Sequence, residues 1–143
     1  MKIKTAVLIG LPLDLAVSQC QGYELVKGVT LAKVWVERKN ARGVMDPRPI
    51  STLNFSRNPS LSQSIIESEH IGTSWSNLWN QWLSPDTRNA AFSFIGETAL
   101  VAAMRNYVAS KLGDEVDVPD ELIPEIEEQH QLELEPATSA PRA

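Results

Sequence analysis

The chain contains 143 residues, of which 43% are hydrophobic and 22% are charged, a composition typical of one soluble globular domain. A domain of this size can bury enough surface to fold without a disulfide, and its single cysteine, Cys20, has no second cysteine to pair with. The apolar run at residues 6–15 is interrupted by Gly10, Pro12 and Asp14, which argues against a signal peptide or a membrane span. We therefore expect a cytoplasmic protein.

The formal net charge of −5 conceals an uneven distribution of charge. Residues 1–113 hold twelve Lys and Arg against eight Asp and Glu, whereas residues 114–143 hold one Arg against ten acidic residues. A basic region raises the local concentration of anions, although surface charges also serve solubility. The acidic overall charge argues against a protein dedicated to duplex nucleic acid.

A short amphipathic helix is predicted near the N-terminus, because four apolar residues fall at helical spacing: Leu13, Ala16, Val17 and Cys20. Pro12 suits the start of this helix and Gly22 its end. Cys20 lies on the apolar face, where a thiol is expected to be buried and unreactive.

The next two segments are predicted to be a strand and a long surface excursion. Residues 29–36 are β-branched and aromatic, which is typical of a strand. Residues 37–60 contain Gly43, three prolines and many polar residues, which favours a surface loop. Long loops are often functional, so a binding site is expected there.

Three tryptophans, Trp75, Trp79 and Trp82, fall at i, i+4 and i+7, and this spacing would place them on one face if the segment is helical. Two interpretations stay open. The three rings could simply pack in the core, or they could form a stacking platform for a flat ligand such as a base.

The C-terminal half is predicted to contain one or two helical turns at residues 64–71, a strand at residues 90–95, a helix at residues 97–112 and a short strand at residues 115–118. The helix has the clearest pattern, an apolar stripe formed by Leu100, Val101, Met104, Val108 and Leu112. Gly113 is expected to end it.

These elements predict an α+β fold, in which a small, mainly antiparallel sheet is covered on one face by the helix at about 97–112. Residues 1–122 are expected to form a single domain. Residues 123–143 are acidic and contain prolines, which is typical of a flexible tail.

The sequence at residues 98–122, from Thr98-Ala-Leu-Val-Ala-Ala-Met-Arg to Asp-Val-Pro-Asp-Glu-Leu122, closely resembles the end of the NinX-like family of small proteins from lambdoid phages and prophages. Leu13-Asp14-Leu15-Ala16-Val17 with Gly22-Tyr23 is similar to that family's opening helix, and Asn58-Pro59-Ser60 and Ile65-Ile66-Glu67 resemble the ends of its central segment. The family's central segment has a Pro-Ser-Thr-Asp-Trp-like pattern, and Thr52, Asn54 and Phe55 are candidates for its displaced Thr-Asp-Trp part. The resemblance implies a phage accessory protein and carries over no activity.

We therefore expect a phage protein that binds and sequesters an anionic small ligand, with a nucleotide-derived host immune signal as the leading hypothesis. The candidate ligand-binding residues combine polar donors with aromatic rings: Thr52, Asn54, Arg57, Asn58, Ser60, Trp75, Trp79 and Arg105. A host-factor inhibitor acting through the acidic tail or the tryptophans is the alternative, and an enzyme acting on a nucleotide is the third. No catalytic residue, metal or cofactor is expected, and a homo-oligomer is considered.

Overall fold

A computed structural model describes residues 1–26 and 34–122 of the chain. Its three α-helices are α1 (Gly10–Cys20), α2 (Pro59–Ser68) and α3 (Ala99–Leu112). Its strands are β1 (Lys2–Lys4), β2 (Glu24–Leu25), β3 (Trp35–Lys39), β4 (Met45–Pro49), β5 (Ser74–Ser76), β6 (Gln81–Pro85), β7 (Ser93–Gly96) and β8 (Glu115–Asp117).

All strand pairs among the described residues are antiparallel, and they form three small sheets with the orders β1–β8, β2–β3–β4 and β5–β6–β7. The α+β class predicted from the sequence is therefore confirmed. The expected single sheet is instead divided into three, since no hydrogen-bonded strand pair among the described residues joins one sheet to another.

The C-terminal helix α3 is the centre of the core, as its sequence pattern predicts. The Thr98 hydroxyl caps its N-terminus by accepting a hydrogen bond from the Val101 N–H, and Gly113 follows its last residue. Met104 and Val108 are fully buried. Leu112, which the predicted stripe included, is exposed because it lies on the last turn.

Helix α3 packs against β6 and β7 of the third sheet, where small residues allow a close approach. A Cβ atom at Gly96 would lie 2.6 Å from the Ala102 backbone nitrogen, so only glycine fits there. The Asn106 side chain donates hydrogen bonds to the Ser84 hydroxyl at 2.9 Å and the Pro85 carbonyl at 2.7 Å. These contacts fix the helix on one face of the sheet.

Helix α1 packs against α3 and buries Leu13, Leu15 and Val17. It begins two residues before Pro12, so Asp14 lies inside the helix rather than at its exposed start. Asp14 is fully buried, and its carboxylate accepts a hydrogen bond from the Ser56 N–H at 2.8 Å.

The prediction of a long surface excursion over residues 37–60 is wrong. This segment completes β3, forms β4 and then brings Ile50, Leu53 and Phe55 into the core. The prolines at positions 47 and 49 lie in β4, which is an edge strand of its sheet, so they do not interrupt the sheet.

The tryptophan segment is not helical, so the helical spacing of its three rings does not place them on one helix face. Residues 74–85 form a hairpin in which Trp75 of β5 lies opposite Trp82 of β6, with ring centroids 5.7 Å apart in an edge-to-face arrangement. Trp79 lies in the turn between the strands, and Asn80 adopts a left-handed conformation with φ of 53°. The i, i+7 spacing of Trp75 and Trp82 reflects cross-strand pairing around a four-residue turn.

Three other predictions differ from the structure at their boundaries. The strand expected at residues 29–36 begins at Trp35 in the described part, while residues 29–33 lie outside it. The strand expected at 90–95 runs from Ser93 to Gly96. The strand expected at 115–118 is present as β8, and the acidic tail at 123–143 lies outside the described residues.

Within the described ranges, the helices are too short or too polar to cross a membrane.

Candidate functional site

An open cavity of about 440 Å³ lies where the N-terminal ends of α1 and α3 meet the segment that precedes α2. Its volume is in the range of small-molecule binding sites. The residues that line it are Ile9, Gly10, Ser56, Arg57, Glu97, Thr98, Leu100 and Val101.

The N-terminus of α1 forms one wall of this cavity. Ile9 has an extended backbone, and Gly10 turns the chain into the helix with a φ of 61°, a conformation that favours glycine. The Ile9 side chain does not cap the helix. The first turn of α1 therefore presents the positive end of the helix dipole toward the cavity.

Ser56 and Arg57 form a second wall. The hydrogen bond from the Ser56 N–H to the buried Asp14 carboxylate fixes this segment against α1. The Ser56 hydroxyl is buried and has no hydrogen-bond partner within the described residues. The Arg57 side chain is exposed and forms no ion pair in the described part of the chain.

The third wall is the start of α3. The Thr98 hydroxyl is engaged with the Val101 N–H at 3.1 Å, and Glu97 is exposed immediately before it. Leu100 and Val101 supply apolar surface. A ligand would thus meet an apolar surface beside a set of polar groups.

The cavity wall carries charges of both signs. Arg57 is its exposed positive side chain and Glu97 its exposed negative one, and the buried Asp14 carboxylate lies against the Ser56 N–H. An arginine guanidinium can hold a phosphate or carboxylate through two parallel hydrogen bonds. The arrangement is therefore suited to binding a negatively charged group next to an apolar one.

Of the residues expected to bind a ligand, Arg57 alone is among those that line this cavity. Thr52 donates a hydrogen bond to the Pro49 carbonyl at 2.7 Å. Asn58 caps α2 by accepting a hydrogen bond from the Ser60 N–H at 3.0 Å, and it donates one to the Asn54 side chain at 3.3 Å. These polar groups shape the turn that presents Arg57.

The structure places the two candidate tryptophans on the β5–β6 hairpin and not in the cavity wall. Trp75 donates a hydrogen bond from its indole nitrogen to the Asn77 side chain at 3.0 Å. Trp79 is held by a hydrogen bond from its backbone N–H to the Ser76 hydroxyl at 3.1 Å. The cavity therefore combines Arg57 with neither tryptophan, although both kinds of residue were expected to bind the ligand.

Arg105 is buried in the core rather than exposed to a ligand. Its Nε donates to the Leu8 carbonyl at 2.7 Å, and its Nη1 donates to the Ile95 carbonyl at 2.8 Å. Arg105 thus ties α3 to Leu8, just before the cavity residues Ile9 and Gly10, and to β7, just before the cavity residues Glu97 and Thr98.

Sequence reasoning did not identify Ser56, Gly10 or Thr98 as site residues. Gly10 and Pro12 mark the start of α1, and Thr98 has the sequence position of a helix cap, so both helix ends could be located. Their meeting in space depends on the packing of α1 against α3, which the sequence pattern does not specify.

Two groups outside the cavity have shifted acidities. Burial raises the pKa of the Cys20 thiol to about 11, which keeps it protonated and a poor nucleophile. The hydrogen bonds from the Arg88 side chain lower the pKa of Asp86, and Arg88 also contacts Asp114 at 2.8 Å. Among the described residues, no cluster of His, Cys, Asp or Glu could hold a metal ion.

Comparison with known proteins places the chain in a class of bacteriophage proteins. Residues 4–111 match the model of the family described as Bacteriophage P22, NinX, and the chain belongs to this family. The match includes both helix ends that form the cavity and the Ser56–Arg57 segment. A comparison with curated proteins finds no significant match.

Proposed function

We propose that this phage protein binds and sequesters an anionic small ligand in the cavity between α1 and α3. The proposed ligand is a nucleotide-derived immune signal of the host, and the proposed location is the cytoplasm of the infected bacterium. The observation that carries the proposal is the exposed Arg57 guanidinium in the cavity wall, which forms no ion pair within the described residues.

Free hydrogen-bonding capacity supports this proposal. Arg57 would supply charge-assisted hydrogen bonds to a phosphate, while Leu100 and Val101 would contact an apolar part of the ligand.

The ionisable residues of the cavity wall favour binding of the ligand without its chemical conversion. Of the residues that line the cavity, Arg57 and Glu97 are the two that ionise, and Glu97 is exposed. An isolated exposed carboxylate lacks the positioned acid or base partner that hydrolysis of a phosphoester uses. We therefore propose a binding protein and not an enzyme.

The proposal is tested by recovering the ligand. The full chain is purified from the cells that express it and is then denatured by heat. The small molecules that it releases are identified by mass spectrometry. A parallel titration calorimetry experiment uses a panel of cyclic dinucleotides and ADP-ribose, followed by chromatography of the ligand after incubation. Binding with release of the intact compound is expected.

Two results would count against the proposal in different ways. Recovery of a converted product would show an enzyme, and the sequestration part would be wrong. Absence of both a released ligand and calorimetric binding across the panel would reject a nucleotide ligand altogether.

A further inference from the structure

The β5–β6–β7 sheet carries the most exposed apolar surface of the described chain. Leu78 and Trp79 in the hairpin turn are 87% and 69% exposed, and Trp75 in β5 and Ile95 in β7 are each 46% exposed. A surface of this kind is typical of an interaction site.

One face of this sheet is covered and the other is open. Side chains that lie opposite one another in paired strands share a face, so Ser84 and Gly96 lie on the face against α3. The row formed by Ser74, Leu83 and Ile95 lies on the opposite face. The partial exposure of Ile95 shows that the described residues leave this second face uncovered.

The edge of the sheet is also open. Strand β5 is the outermost strand in the order β5–β6–β7, and Thr73, Ser74 and Trp75 are exposed along it. Proteins commonly protect such an edge with a lysine, a proline or a bulge, or by keeping the strand short. Strand β5 contains no lysine or proline, and a further strand can pair with it over its three residues.

Charge favours a second copy of the chain as the occupant. Residues 71–85 contain no Asp, Glu, Lys or Arg, although the whole chain carries a net charge of −5. Two copies repel each other at charged surfaces, and a neutral surface is where they can approach with the least repulsion. A strongly charged partner would find no side chain of opposite charge in residues 71–85.

The sequence of β5 is itself suited to self-pairing. An antiparallel pair of identical strands is related by a two-fold axis, and most soluble homo-oligomers have this kind of symmetry. With the axis at Trp75, the half-exposed Trp75 rings of the two copies would lie directly opposite each other, an aromatic cross-strand pair, and Ser74 of each copy would lie opposite Ser76 of the other on the other face. Leu78 and Trp79 would add apolar contacts beside the paired strands.

We propose that this protein forms a two-fold symmetric homodimer through the β5 edge and the Leu78–Trp79 turn. This proposal is independent of ligand binding in the cavity, because none of the residues that line the cavity belongs to the hairpin.

The experiment is sedimentation equilibrium of the full chain over a series of protein concentrations. Ser74→Lys adds a charge to the edge strand, and Trp79→Ser removes the exposed ring; each is expected to weaken dimerisation about tenfold or more. The matched control is Val44→Ser, which removes a 59% exposed apolar side chain from the turn between β3 and β4. Circular dichroism spectra and thermal melting curves, compared with those of the wild type, check that each variant keeps the fold.

A dimer that both hairpin variants weaken and the control leaves unchanged would support the proposal. A wild-type chain that stays monomeric at every concentration would overturn it, including the case in which the hairpin binds a different protein or a lipid vesicle. A dimer insensitive to both hairpin variants would also overturn it, because the interface would then lie elsewhere.

Discussion

The buried Asp14 carboxylate accepts a hydrogen bond from the Ser56 backbone N–H at 2.8 Å, and this contact joins helix α1 to the segment that presents Arg57. Two residues separated by more than forty positions in the chain thus fix one wall of the cavity. The position of Arg57 depends on a buried acidic residue that does not itself line the site.

Replacing Asp14 tests this relationship. Asp14→Ala leaves the buried Ser56 N–H without its acceptor, and we expect a loss of about 3 kcal/mol in the free energy of unfolding. Asp14→Asn is the matched control, since its side chain keeps an oxygen that can accept the bond. Urea denaturation measures both. Equal destabilisation by the two variants would show that the Ser56 contact is not the important one.

A second prediction concerns the buried Arg105. Removing its guanidinium leaves the Leu8 and Ile95 carbonyls without these donors, so Arg105→Ala should destabilise the fold by about as much as Met104→Ala, roughly 2–5 kcal/mol. Arg105→Lys should restore little of the lost stability. Two different nitrogens of the guanidinium donate to the two carbonyls, and a lysine ammonium has only one nitrogen. Thermal unfolding provides the measurement. An Arg105→Ala variant with wild-type stability that no longer binds ligand would instead assign Arg105 to the binding site.

The contact between the third sheet and α3 gives a third prediction. Gly96→Ala places a methyl group 2.6 Å from the Ala102 nitrogen, and the backbone must shift, so we expect a loss of about 1–3 kcal/mol. Gly72→Ala is the control, because its added methyl group meets no atom within 4 Å. The control should be neutral in thermal unfolding. Similar destabilisation by both substitutions would mean that the loss of glycine, and not the close approach, is responsible.

The pH dependence of stability should depend on Asp86. Hydrogen bonds from Arg88 lower the pKa of Asp86 in the folded state, so its contribution is present above the pKa of the unfolded carboxyl, about 4. That contribution is lost as the pH falls through the lower folded value. Asp86→Asn should reduce stability at neutral pH and flatten the acid part of the profile. An unchanged acid profile in this variant, measured by denaturation between neutral and acid pH, would contradict the assignment.

The sequence was informative where local signals and tertiary packing agree. The apolar residues of α1 and α3 have helical spacing, and both helices form close to the predicted positions. The tryptophan segment shows why spacing alone fails. Trp75 and Trp82 are seven residues apart, and this separation fits both a helical face and a cross-strand pair around a four-residue turn.

The candidate site was predictable in one of its parts. The basic character of the region that contains Arg57 indicated an anion-binding role, and the structure places Arg57 in the cavity wall. The other two walls depend on the meeting of Gly10 with Thr98, which are distant in sequence. Arg105 was expected to reach a ligand from a position beside the apolar stripe of α3. It is buried instead, because its guanidinium donates to the backbone carbonyls of Leu8 and of Ile95 in β7.

The central claim is that the cavity binds an anionic ligand through Arg57, and titration calorimetry of three proteins with ADP-ribose and a cyclic dinucleotide tests it most directly. The proteins are the wild type, Arg57→Gln and the control Arg42→Gln, which removes an exposed arginine outside the cavity. We expect the wild type and the control to bind at least one of these compounds equally well. Arg57→Gln should bind it about ten to one hundred times more weakly, as expected for the loss of a charge-assisted hydrogen bond. Equal affinities of all three proteins for the bound compound, or no binding of either compound by the wild type, would contradict the account.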